Sequence, residues 1–335
     1  MPPMIEIDKA QCVQLARRLD LVEVQPAEFL VLAETPVDKR REANLWFFVV
    51  AICQATRTLE GVVDGTWYRG WDYMARAARR ALHRDPELFT ASRLANATPD
   101  SLRALFSDDG IADHTTLDRI DERVAQWHDA ARHLIRSYDS DVMSLYAASN
   151  HRLRGEGGLM ERLAAIQAYS DPVEKKSSLL VKFASSCGAW AFDDLDTVQV
   201  AIDYHIMRIA LRSGMVRVND SDLAELLVTR QPVSAEQDHA VRSAVRRACD
   251  LVVQHSAQSV FDVDNILWMM GRNCCFYDYA PICGQNTCAR RQDCTFTRSI
   301  HYDCPGVCLF DGICLGSRDS AYRAYWETTL HTEFY

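Results

Sequence analysis

Residues Val200–Ser213 read V-A-I-D-Y-H-I-M-R-I-A-L-R-S. Ile202, Ile206, Ile209 and Ala210 recur at the three- and four-residue spacing that gathers side chains on one face of an α-helix. Asp203 stands at the head of that run, where aspartate most often serves as an N-cap. A carboxylate beside an inward-facing apolar stripe is also chemically usable, and the two roles are compatible. The same periodicity returns in Trp71–Leu82, Ile120–Tyr138, Leu179–Ala191 and Ala240–Gln254, while strand signals are sparse, so an all-α fold is expected. Thr115 or Thr116, with Asp118 and Glu122, marks the start of the long helix, and Asp100 or Ser101 that of a short one before it. Turn formers cluster at Ser107–Asp113, Arg154–Gly158 and Asn219–Asp222. No internal repeat or low-complexity tract is present.

With 335 residues, 48% of them apolar and 25% charged, the chain can bury a substantial core and is expected to divide into two domains. The first residues, MPPMIEIDKAQ, lack the basic start and apolar stretch of a secretory signal, and the longest apolar run, Leu45 to Cys53, is too short to span a bilayer. A cytoplasmic monomer without membrane contact is therefore expected. The net charge of −9 argues against indiscriminate binding to nucleic acid. Local basic groups run the other way: Arg69, Arg76, Arg79, Arg80 and Arg84, then Arg242, Arg246 and Arg247, then Arg290, Arg291 and Arg298. Each is also consistent with a solvated helix face.

Eight of the twelve cysteines lie between Cys274 and Cys314. A disulfide framework would need an oxidising compartment and a chain short of core, and neither applies. Cys275, Cys283, Cys288 and Cys294 follow the pattern C-x7-C-x4-C-x5-C, close enough in sequence to converge on an iron–sulfur cluster, which makes a 4Fe-4S centre the leading expectation. Zinc is an open second reading for Cys304, Cys308 and Cys314, completed by His301 or Cys274. Reduced cysteines packed as small apolar side chains are the simplest account of those three, and of Cys12, Cys53, Cys187 and Cys249. Helical periodicity fades near residue 270, so an organising cofactor is expected for the segment beyond it.

Upstream, Glu174–Phe183 reads E-K-K-S-S-L-L-V-K-F after the turn-like Tyr169-Ser170-Asp171-Pro172. Lys175 and Lys176 differ by about 100° in helix phase, so one of them faces any given cleft. A lysine pair at a helix start is ordinarily a solvated face. In a poorly hydrated pocket an amine loses its proton and becomes a nucleophile, which makes Lys175, Lys176 and Asp203 the candidate catalytic set.

Two stretches carry a family resemblance. Ala201–Arg208 resembles the V-D-T-H-I-x-R segment of endonuclease III-type DNA glycosylases, and Met270–Cys275 (M-G-R-N-C-C) resembles their H-G-R-Y-T-C entry into a cluster loop, in the same order along the chain. Their cluster spacing is C-x6-C-x2-C-x5-C; here the first gap is one residue longer, the second two longer, and the third equal. Asn44–Gly61, Ile120–Tyr138 and Glu174–Phe183 are similar to archaeal 8-oxoguanine glycosylases of the same helix-hairpin-helix superfamily.

The resemblance implies a six-helix domain of residues 46–200 and a second domain from 1–45 plus 201–335, with a cysteine-rich cluster loop. It implies that Asp203 promotes loss of a base and that a lysine after the hairpin forms a Schiff base. An ungapped match gives Lys175, and helix phase with Leu179, Leu180 and Phe183 gives Lys176. It also implies that Gln54 and Trp67 hold a flipped base of a DNA partner and that Arg272, Arg290 and Arg291 meet its backbone. One departure stands out: the family hairpin L-P-G-V-G-R/K is here Tyr-Ser-Asp-Pro-Val-Glu-Lys, without the glycines that let backbone N–H groups reach a phosphate.

The leading expectation is thus a DNA glycosylase acting on a damaged or modified base in repair, with lyase chemistry open. The first alternative is a glycosidase for a hypermodified base in phage DNA, or for a free modified nucleoside or nucleotide. The acidic charge and the altered hairpin favour it. The second is a non-catalytic nucleic-acid-binding or redox-sensing module.

Overall fold

The computed structural model describes residues 3–25, 38–276, 281–283, 288 and 294–335. The described chain is mainly helical, with strands confined to three two-stranded antiparallel ladders. It forms two compact units: Leu30–Val198 with Thr332–Tyr335, and Met1–Phe29 with Gln199–His331.

The larger unit is built around the helix Lys39–Ala51. Leu45 to Ala51 are fully buried without a polar break, the pattern of a helix enclosed on all sides. It packs against Trp71–Arg84, Ile120–Ser137, Val142–Ala148 and Lys175–Ser186. Trp46 stacks on Phe183 with ring centroids 4.6 Å apart, and Trp127 donates its indole N–H to the Phe48 carbonyl at 2.8 Å. One charged pair enters this core: Arg79 meets Glu42, with Nη2 to Oε2 at 2.8 Å. Glu60–Val63 and Thr66–Arg69 form a hairpin whose turn residues, Asp64 (φ 51°) and Gly65 (φ 79°), both take the left-handed backbone that a two-residue turn of this hand requires.

In the other unit, Tyr204–Ser213 packs on Val260–Asn273 and on Ala235–Gln254, which also contacts Lys9–Leu19. A Cβ on Gly271 would stand 2.6 Å from the Cβ of His205, so the closeness of the two helices depends on that glycine. Ile5–Ile7 pairs with Val216–Val218, and Glu23–Val24 with Ile300–His301. Among the described residues no helix is long and apolar enough to cross a membrane.

Side-chain carboxylates fix two helix starts. Lys175–Ser186 begins at the lysine pair, as expected, four residues ahead of the apolar periodicity that opens at Leu179, because Asp171 takes the first free amides: Oδ1 accepts from Val173 N and Oδ2 from Lys175 N, each at 3.0 Å. Tyr204–Ser213 begins four residues after Val200, because Asp203 is its N-cap and the three residues before it are not helical.

Candidate functional site

The chain around Lys176 runs outward from a fully buried amine. The last carbonyls of Lys39–Ala51 have no partner within their own helix, and two cations meet them. Lys176 Nζ donates to Ala51 O at 2.6 Å, and the guanidinium of fully buried Arg123 donates to Ile52 O and, at 2.8 Å, to Gln54 O. Lys176 also donates to Gln54 Oε1 at 2.9 Å, which turns the other end of that amide outward. Gln54 Nε2 then donates to Gln126 Oε1 at 2.8 Å and to Glu122 Oε1 at 3.1 Å.

Burial pushes the Lys176 ammonium down to about 7. The charges that face it divide: Cys53 and Glu333 favour the protonated form, and Lys175 and Arg123 oppose it. Lys175 is buried too and directs its amine to Cys53 Sγ at 3.2 Å. The altered hairpin has a visible consequence. Glu174 adopts the left-handed φ of 57° that a glycine would otherwise supply, and the amides that would face a phosphate are taken by Asp171.

In the other unit Asp203 is buried, and its Oδ1 accepts from His205 N at 2.8 Å and from Ile206 N at 3.0 Å. Arg208, five residues on, has no exposed surface. It reaches Glu327 Oε2 at 2.7 Å, Gly271 O at 3.0 Å and Cys275 O at 2.7 Å, tying its helix to the Val260–Asn273 helix and to the C-terminal region. Asp264 accepts from Ala201 N at 2.9 Å, two residues ahead of Asp203. Neither Arg208 nor Asp264 was singled out from sequence. A charged residue in phase with an apolar stripe is the signal that would have found Arg208.

The remaining expected residues are dispersed. Trp67 is exposed on the hairpin, opposite Val62. Arg272 lies over the ring of Trp268, 4.4 Å from its centroid. Arg290 and Arg291 lie outside the described residues.

The expected cluster ligands make different contacts. Cys275 accepts from Arg212 Nη1 at 3.4 Å, Cys283 points toward the Gly316 carbonyl at 3.9 Å and Cys294 toward Asn273 Oδ1 at 3.8 Å. Cys274, Cys288, Cys294 and Cys304 instead share a small cavity with Phe296 and Tyr302. Cys314, of the alternative zinc set, turns to Arg212 O at 3.5 Å. Among the described residues no three His, Cys, Asp or Glu side chains are grouped as metal ligands.

The class on view is a mainly helical protein with a buried amine in one unit and a helix-capping carboxylate in the other. The chain belongs to the queuosine salvage protein family, whose model matches residues 53–302. No curated protein matches it. This finding corrects the resemblance to endonuclease III-type and 8-oxoguanine glycosylases: the matching family is a different one, and it overlies both stretches that carried the likeness. Base excision repair, phage defence, the helix-hairpin-helix motif and the iron–sulfur association that came with the resemblance fall with it. The hairpin geometry agrees, since Asp171 fills the amides that such a motif keeps for DNA phosphate.

Proposed function

We propose that this protein hydrolyses the N-glycosidic bond of a queuosine-type nucleoside or its phosphate and releases the base. The observation that carries the reading is the family match, whose span of residues 53–302 includes Gln54, Lys175, Lys176 and Asp203. The acidic net charge of −9 supports a small substrate over a polyanionic one.

Breaking this bond builds positive charge on the sugar and negative charge on the departing base. An ionised carboxylate stabilises the first more in the transition state than in the ground state. Asp203 supplies it, and the two backbone N–H donors on Oδ1 hold the group in one orientation. Queuine is a 7-deazaguanine, so carbon replaces the N7 atom that purine nucleosidases protonate. A water molecule bonds to the sugar carbon as the C–N bond breaks and its proton ends on the departing base, whose release depends on hydrogen bonds to the remaining polar atoms of the ring. Gln54 and Lys176 act as positioning residues: the amine fixes Oε1 of Gln54, and Nε2 passes the order on to Gln126 and Glu122. Lys175 makes a separate contact, to Cys53 Sγ.

The test is release of free base from queuosine and queuosine 5′-phosphate, followed by liquid chromatography and mass spectrometry, with a duplex containing a modified base run alongside. Asp203→Asn should lower kcat by about 100- to 1000-fold. An unchanged rate would remove Asp203 from the mechanism, and release from the duplex alone would overturn the substrate assignment.

A further inference from the structure

The last four residues, Thr332–Tyr335, belong to the same compact unit as Gln54 and Lys176, whereas the chain from Gln199 to His331 belongs to the other. Arg119, Gln126 and Gln167 help to hold them there. Arg119 Nη1 donates to Thr332 O at 2.7 Å. Gln126 Nε2 donates to Glu333 Oε2 at 3.1 Å. Gln167 Nε2 lies 3.1 Å from Oε1 and 3.0 Å from Oε2 of the same carboxylate. Tyr335 is buried. Glu333 therefore ends a hydrogen-bonded series in which every donor points outward: Lys176 to Gln54, Gln54 to Gln126, Gln126 to Glu333.

Burial falls along the same path. Lys176, Gln54 and Gln126 are buried, Glu333 is intermediate and Gln167 is exposed. The series thus fixes a carboxylate where the buried network meets solvent, with one permanent donor behind it and one exposed, displaceable donor in front. This residue lies beyond the 53–302 span of the family match.

We propose that Glu333 is a specificity-determining residue that reads the base. Its two oxygens accept the adjacent ring N–H and exocyclic amine of a 2-amino-6-oxo heterocycle, displacing the Gln167 amide. A carboxylate offers two acceptors side by side, and the Watson–Crick edge of a guanine-type base offers two donors side by side next to a carbonyl. An adenine-type edge presents a donor beside an acceptor, and a 6-oxo base without the 2-amino group presents only one donor. Charged acceptors form the stronger class of hydrogen bond, and a site built around one rejects a ligand that leaves it unmatched. This inference rests on the nucleosidase reading for its substrate, but its own content is the pairing of Glu333 with the base.

The experiment measures binding of two free bases, 7-deazaguanine and 7-deazahypoxanthine, by isothermal titration calorimetry to the full chain and to Glu333→Gln, with base release from the two corresponding nucleosides measured in parallel. Thermal unfolding of both proteins checks that the variant is folded. The wild-type protein should prefer 7-deazaguanine by about 10- to 100-fold, the worth of a hydrogen bond to a charged group. Glu333→Gln, whose amide carries one acceptor, should lose most of that preference while its weak binding of 7-deazahypoxanthine stays within about threefold. A folded variant that keeps the full preference, or that weakens both bases equally, overturns the proposal, since a residue that merely pins the tail would do the latter. A wild-type protein that binds 7-deazaguanine through Glu333 yet cleaves no nucleoside would sink the nucleosidase reading and leave this one standing.

Discussion

At Asp203 one carboxylate has a structural task and a proposed chemical one, and two substitutions separate them. Asparagine keeps an oxygen to accept from His205 N and Ile206 N, so Asp203→Asn should unfold within about 0.5 kcal/mol of wild type. Alanine leaves those amides without their acceptor and should lower stability by about 1 kcal/mol in urea denaturation. Both should lose base release. A rate loss that appears only in the alanine variant would mean that the carboxylate acts through the cap alone. Lys176 carries a titration with a defined sign. Its proton leaves at about 7 in the folded chain, against 10.5 for an ordinary lysine. Between those values the unfolded chain binds more protons than the folded one, so this group makes stability rise with pH; below pH 7 both forms are charged and the whole cost of burying the charge is present. Compared with Lys176→Met, the wild type should gain up to about 1.4 kcal/mol per pH unit between about pH 7 and 10. A stability difference that stays flat across that range would show that the amine does not titrate there.

The same residue shows what a helix end demands. Lys39–Ala51 is polar in its first turn and apolar from Leu45 to its end, and the carbonyls there face protein where water would otherwise satisfy them, so Lys176 on Ala51 O and Arg123 on Ile52 O serve as the cap. Arg123→Met keeps the bulk but strands the carbonyls of Ile52 and Gln54, and should lower the unfolding free energy by about 2 to 5 kcal/mol. A loss below about 1 kcal/mol would mean that other donors replace the guanidinium. Elements were largely legible in the sequence. Trp71–Arg84 and Ile120–Ser137 start or end within two residues of the periodic reading. The helix start at the lysine pair and the N-cap at Asp203 are both present as expected; apolar spacing alone, which begins at Leu179 and Val200, carries no record of which acid takes which amide. The cysteine side chains were not legible for a related reason. Short separations along the chain bring backbones near one another, but they do not set where a thiol points, and Cys275 and Cys283 turn to different partners.

For the whole molecule, the decisive correction came from the length of the matching region. Two short stretches, Ala201–Arg208 and Met270–Cys275, carried the likeness to DNA glycosylases; the family match extends over residues 53–302 and contains both. Asp203 drew notice as a polar group at the head of an apolar run and the Lys175–Lys176 pair as one at a helix start, whereas Gln54 came only with the resemblance that the family match corrects. Glu333 was not legible, because an acid two residues from Tyr335 has no periodicity around it and meets Gln126 and Gln167 only through the fold. Net charge bears on the same question of substrate. A chain at −9 releases few counterions on meeting DNA, and the exposed amides that would grip a phosphate at the Lys175 helix are occupied by Asp171. Duplex DNA should therefore bind more weakly than about 10⁻⁴ M at about 0.15 M salt, below ordinary non-specific affinity, as read by fluorescence anisotropy of a labelled oligonucleotide. Micromolar binding that weakens steeply as salt rises would instead reveal a basic surface strong enough to override the net charge, and would return nucleic acid to consideration as the substrate.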